Sequence, residues 1–174
     1  MKKAMLIILL AAAVVLIACM FGGTGADGQT EAYLRVHIRA NSNGADDQAV
    51  KYEVRDGVVE YLTPVVAECE TKAAAIGAIE ARLGGIETVA ERILEENGYA
   101  YGARASVRKE EFPTRVYDGA TLPAGVYDAL ILELGTGEGD NWWCVVYPPL
   151  CFTGGRANVV YKSKILEIIQ NFFK

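Results

Sequence analysis

His37 is the only histidine in the 174-residue chain. The four cysteines, Cys19, Cys69, Cys144 and Cys151, contain no Cys-x-x-Cys pair. A structural zinc site draws four clustered ligands from those two residue types, so the sequence predicts no metal site. Basic runs are absent too: 17 Lys and Arg are scattered against 22 Asp and Glu, for a net charge of -5. Without a basic patch there is no electrostatic footprint for nucleic acid. The Gly-rich "GTGEGD" at 135–140 has no Gly-Lys-Ser/Thr ending and precedes a strand-like run, not a helix. Phosphate loops need a helix N-terminus at that point, so this one reads as a turn. Adjacent carboxylates, Asp46-Asp47 and Glu110-Glu111, point in different directions and make no acid/base pair. No catalytic set and no cofactor are assigned.

Hydrophobic residues make up 52% of the chain, and much of that excess is local. "AMLIILLAAAVVLIACMF", Ala4 to Phe21, carries no charge and follows Lys2 and Lys3. That is the layout of a signal peptide or an N-terminal membrane anchor. Three fates stay open: cleavage near "CMFGGTGADG", retention as an anchor, or lipidation at Cys19, since "LIAC" resembles a bacterial lipobox. Any of them predicts export to an extracytoplasmic space. Losing Lys2 and Lys3 would move the net charge from -5 to -7, and acidic surfaces are repelled by anionic headgroups. The membrane is therefore expected to meet the chain only through the leader. The Gly-rich segment 22–32 reads as a flexible linker.

Beyond it, "YLRVHIR" alternates Leu34, Val36 and Ile38 with Arg35, His37 and Arg39, the period of a half-buried strand. "ANSNGADDQ" follows, where Ser42 or Asn43 can cap a helix and Asp46 and Asp47 oppose its dipole. Val50, Val54, Val58 and Leu62 recur every four residues as that helix's buried stripe, and Pro64 marks its end or a break shortly after. Ile76, Ile79, Leu83, Ile86, Ala90 and Ile93 form the seam of a second helix, which Gly84-Gly85 bend or split. The two helices are expected to pack antiparallel. "YGARASVRKEEF", "VYDALILELG" and "NWWCVVYPP" read as strands, the last two as an antiparallel hairpin. "VVYKSKILEIIQNFF" reads as a C-terminal helix. The fold class is α+β: a small, mostly antiparallel sheet packed with a helical pair and a C-terminal helix, in the order β-α-α-β-β-β-α.

"NWWCVVYPPLCF", Asn141 to Phe152, crowds two tryptophans and two cysteines into twelve residues. In an exported protein Cys144 and Cys151 are placed to oxidise, and closing so short a loop contributes roughly 2 to 3 kcal/mol on a chain-entropy argument. Alternation puts Trp142 and Trp143 on opposite faces. One is expected in the core; the other is either covered by the C-terminal helix or exposed as a contact. Cys69 reads as a small buried hydrophobe.

"LRVHIRANSN", "DDQ", "FPTRVYDGATLPAGVYDAL" and "GDNWWCVVYPPLCF" together resemble the stage II sporulation protein R family. The likeness runs from about Tyr33 to Phe152. It rests on His37, Ala40, Asn41 and Ser42; on Asp47 and Gln48; on Leu122, Pro123, Gly125 and Tyr127; and on Asn141 to Cys144 with Pro148 to Phe152. The resemblance implies a forespore protein exported between the two membranes of the developing spore. There it would activate a membrane-embedded aspartic protease of the mother cell, and that protease then processes a pro-sigma factor. The chain would thus divide into a leader (1–21), a linker (22–32), a signalling domain (33–152) and a C-terminal helix or tail (153–174). It would not be an enzyme, and its candidate partner contacts are an exposed His37, Asn41, Ser42, Trp142 and Trp143. The alternative is a small exported hydrolase or thiol enzyme using His37 and a cysteine.

Overall fold

The computed structural model describes residues 27–117 and 120–150. The leader, the C-terminal helix and Cys151 all lie outside the described residues. The chain is α+β, and its described residues form ten elements. They are α1 (Asp27–Ala32), β1 (Leu34–Arg39), α2 (Ala45–Ala67), α3 (Lys72–Glu80), α4 (Leu83–Glu96), β2 (Ala103–Phe112), β3 (Arg115–Tyr117), β4 (Ala120–Leu122), β5 (Gly125–Leu134) and β6 (Asn141–Tyr147). Residues 27–32, read from sequence as linker, are the short helix α1. Among the described residues no helix is long and apolar enough to cross a membrane.

Helix α2 follows its valines. Val50, Val54, Val58 and Leu62 are all buried, and Val66 extends the stripe beyond Pro64, which the helix accommodates in its last turn. The second helical seam splits at Ala81-Arg82, just before the Gly84-Gly85 pair, into α3 and α4. Ile79, Ile86 and Ala90 of that seam are buried, with Ile76, Leu83 and Ile93 packed around them. Asn97 donates to Glu53 (2.8 Å), Ile93 lies against Gly57, and Tyr61 lies against Gly85. Contacts that rise along α2 thus fall along α4, so the two run antiparallel.

Thr71 caps α3. Its backbone is extended and its hydroxyl accepts from the Ala74 amide at 3.1 Å. Thr71→Ala is expected to lower unfolding free energy by about 1 kcal/mol, the usual loss for such a cap, read as a shifted denaturant midpoint at unchanged slope.

Four strands form the main sheet in the order β2-β5-β1-β6. β1 pairs parallel with β5 and antiparallel with β6, and β2 pairs antiparallel with β5. Two of three pairings are thus antiparallel. The expected β5–β6 hairpin does not form: β1 lies between them. The reason is in the connection. Gly139 donates its amide to the Ala40 carbonyl (2.8 Å) and Asp140 donates to Asn43 Oδ1 (2.6 Å). Residues 135–140 are therefore fastened over the end of β1 and carry the chain to its far side.

Because β1 is central, it is covered on both faces and not half-exposed; five of its six residues are buried. Leu34, Val36 and Ile38 face the helices together with Leu130, Leu132, Cys144 and Val146. Arg35 and His37 face a second, smaller core of Phe112, Leu122, Tyr127, Ala129, Ile131 and Val145. The two-stranded β3–β4 hairpin, unforeseen within "FPTRVYDGATLPAGVY", adds Leu122 and Tyr117 to that second face.

Candidate functional site

The sequence-predicted residues fall at three places around β1. On β6, register sets Trp143 opposite His37 and Trp142 opposite Ile38. Side chains alternate across a strand, so Trp142 joins the helix-side core and Trp143 the second face. Neither indole is fully buried; both are half-covered. Each is topped by an arginine. Arg55 of α2 lies 5.6 Å from the Trp142 ring centroid and 4.9 Å from that of Tyr52. Arg115 of β3 lies 4.2 Å from that of Trp143. Tyr52 itself is 45% exposed. This edge of the sheet therefore presents Trp, Tyr and Arg on both faces, the residue types that dominate binding hot spots. Neither arginine is visible as a partner of these rings from sequence spacing, because both come from other elements.

His37 is buried, which corrects the expectation of an exposed histidine. Its Nδ1 lies 2.5 Å from Glu110 Oε1. A carboxylate only accepts, so Nδ1 carries the proton. Arg39 Nη2 donates to the same oxygen (2.8 Å) and Arg39 Nη1 to Glu133 (3.1 Å). Burial works against ionisation of Glu110, but the hydrogen bonds from Arg39 and His37 outweigh it and hold its pKa below the usual carboxylate range. Nothing in the sequence joins Glu110 to His37, 73 residues apart; only the β2-β5-β1 order brings them to one face.

Asn41 and Ser42 lie in the β1–α2 loop, half-buried, with their polar atoms used internally. The helix N-cap is Gly44, without a side-chain cap bond, so neither Ser42 nor Asn43 caps α2. Asp47 instead collects the loop. It accepts from Ser42 Oγ (2.5 Å), Asn41 Nδ2 (2.9 Å) and the Tyr101 hydroxyl (2.6 Å). Those donors, Ser42 first, hold its pKa below the ordinary value. Asn41 Oδ1 also accepts from the Thr136 amide at 3.1 Å. A side chain at Gly135, which has φ +58, would strike that same amide group. Gln48 donates to the Ser42 carbonyl (2.9 Å) and accepts from the buried Lys51 ammonium (2.6 Å), which also reaches the Asp140 carbonyl (3.0 Å). The Ala-Asn-Ser and Asp-Gln blocks are thus one lock that holds α2 and the entry to β6 on the end of β1.

Cys144 is disulfide-bonded; its expected partner, Cys151, lies outside the described residues. Cys144 sits opposite Val36, on the helix side of the sheet, while His37 points to the other face. Cys69 is a free thiol packed against the helix-side core, donating to the Val65 carbonyl at 3.3 Å. Burial pushes its pKa up, away from the thiolate that reactivity needs. Neither of these cysteines can pair with His37 as a nucleophile.

A family model described as stage II sporulation protein R matches residues 30–156. Among curated proteins, stage II sporulation protein R of Bacillus subtilis (strain 168) is 37% identical over 119 residues, covering 68% of this chain and 53% of that protein. The chain thus spans about half the length of the curated relative it matches. No solved structure matches it.

Proposed function

We propose a role that starts from one fact: the chain belongs to the stage II sporulation protein R family. Within sporulation, it acts as an exported signal. It reaches the space between the two membranes of the developing spore and binds the extracytoplasmic face of a membrane-embedded aspartic protease of the mother cell. Binding favours the protease's active form, which requires tighter contact with that form than with the resting one. A pro-sigma factor is then processed. The chain itself performs no catalysis.

The observation that carries this reading is the β6 edge. Two half-covered tryptophans, each under an arginine, lie on opposite faces of one strand whose position the Asp47 lock fixes. Rigid aromatic groups lose little conformational freedom on binding, and a strand held at its entry and paired along β1 presents them in one geometry. The thiol-enzyme alternative loses support because Cys69 and Cys144 both lie across the sheet from His37.

The test is a pull-down of the purified chain with the protease's extracytoplasmic segment. Wild type is expected to bind, and Trp142→Ala and Trp143→Ala each to weaken binding by about tenfold or more, equivalent to about 1.4 kcal/mol. Absence of wild-type binding overturns the proposal.

A further inference from the structure

Among the described residues, three buried side-chain polar atoms have no hydrogen-bond partner: Arg35 Nε, Arg35 Nη1 and His37 Nε2. All three come from same-face neighbours two apart on β1. Buried polar side chains are nearly always paired, and each exception calls for an explanation. Here they share the second face of the sheet, under Tyr117.

Arg35 is fully buried. Its guanidinium carbon lies 4.2 Å from the Phe112 ring centroid and 4.9 Å from that of Tyr127. Such ring contacts answer part of the guanidinium charge, but Nε and Nη1 have no hydrogen-bond partner. One nitrogen, Nη2, donates to the Tyr117 hydroxyl at 2.6 Å. That acceptor is neutral. The carboxylates on this face, Glu110 and Glu133, are taken up by His37, Arg39 and Arg108. Arg35 is therefore a buried cation with no carboxylate bonded to it among the described residues, and one ring away stands an imidazole nitrogen in the same condition.

We infer that the Arg35 guanidinium, with His37 beside it, forms a binding site for a carboxylate supplied by an acidic side chain of a protein partner. A carboxylate offers only acceptors, which matches the free Arg35 N–H groups. Tyr117 is half-exposed at the rim, and its hydroxyl also reaches the Trp143 carbonyl only weakly, at 3.4 Å. An incoming carboxylate displaces this hydroxyl and replaces a neutral hydrogen bond with a charge-assisted one. Trp143, 5.4 Å from the His37 ring, forms the adjoining wall. The site thus opens beside the aromatic edge described above, yet it is a property of this chain alone and does not depend on which receptor is bound.

The experiment uses the purified chain labelled with nitrogen-15 at arginine and histidine. Two probes are titrated, N-acetyl-glutamate N-methylamide and its neutral glutamine counterpart. The expected result is a saturable shift of the Arg35 Nε–H and His37 ring signals with the glutamate probe, and an apparent affinity at least tenfold weaker for the glutamine probe. Arg35→Met should fold with an undiminished denaturant midpoint, because an unpaired buried charge gives way to an apolar chain of similar length. It should also lose the response, and Arg35→Lys should recover part of it. Equal shifts with both probes, or no Arg35 shift with the glutamate probe, overturn the inference. So does a fall in the Arg35→Met midpoint as large as that of a core truncation, which would make the guanidinium a structural stack. The titration is independent of the receptor pull-down, so failure of either is read separately.

Discussion

Glu110→Ala is expected to lower unfolding free energy by about 3 kcal/mol. Removing the acceptor of a buried donor costs about 1 to 3 kcal/mol, and the upper end applies here because the same carboxylate also answers Arg39. Arg39 is about one-third exposed, keeps its bond to Glu133 and can turn to water. His37 cannot: its side chain is 5% exposed and Glu110 is its hydrogen-bond partner on the described face. Glu110→Gln keeps an acceptor beside Nδ1 and should cost less, about 1 to 2 kcal/mol, the loss of charge assistance. The pH dependence follows from the depressed pKa of Glu110. The contribution is present in full above the unfolded carboxylate's pKa and is lost as pH falls through the lower folded value. Urea unfolding of wild type and Glu110→Gln should therefore differ most near neutrality and converge in acid. A constant difference across pH would separate the carboxylate's charge from its effect.

Where local pattern and tertiary environment agreed, the sequence was legible. The α2 stripe, the split helical seam and the four long strands follow periodicity because each buries one continuous face against the same core. Periodicity was misleading for β1. Arg35, His37 and Arg39 alternate with apolar residues as a solvated face would, but burial on that face comes from elsewhere: the β3–β4 hairpin and the Phe112–Tyr127 pair. Their covering role depends on sheet order, which no window of β1 contains. The same limit explains the missing hairpin. Two strong strands joined by six turn residues read as partners, yet the turn's amides are bonded to Ala40, Asn41 and Asn43 and so arch over β1. The tryptophan faces came directly from alternation. Their arginine partners did not, since Arg55 and Arg115 lie on different elements far away in the chain.

Asp47→Ala is expected to be nearly as severe, about 2 to 3 kcal/mol, although Asp47 lies at the protein's margin. Its carboxylate answers three donors at once: Ser42, Asn41 and Tyr101. A hydrogen bond to a charged group contributes about 1.5 to 3 kcal/mol, but the three share two oxygens and are half-reachable by water, so they do not sum. Asp47→Asn leaves one oxygen and removes the charge, and should lie between alanine and wild type. The depressed pKa gives the sign: the stabilisation stands above the ordinary carboxylate pKa and disappears as pH falls through the folded value. Wild type should therefore lose more stability on acidification than Asp47→Asn, measured by thermal unfolding from pH 7 to pH 3. The further consequence concerns β6. Asn41 also accepts from Thr136, and Gln48 and Lys51 hold Asp140, the residue before β6. Loosening Asp47 frees the loop that sets where Trp142 and Trp143 stand. Partner binding in the pull-down should then weaken for Asp47→Ala even at temperatures where the chain remains folded, although Asp47 touches neither tryptophan. Unchanged binding in a destabilised Asp47→Ala chain would show that the lock serves stability alone.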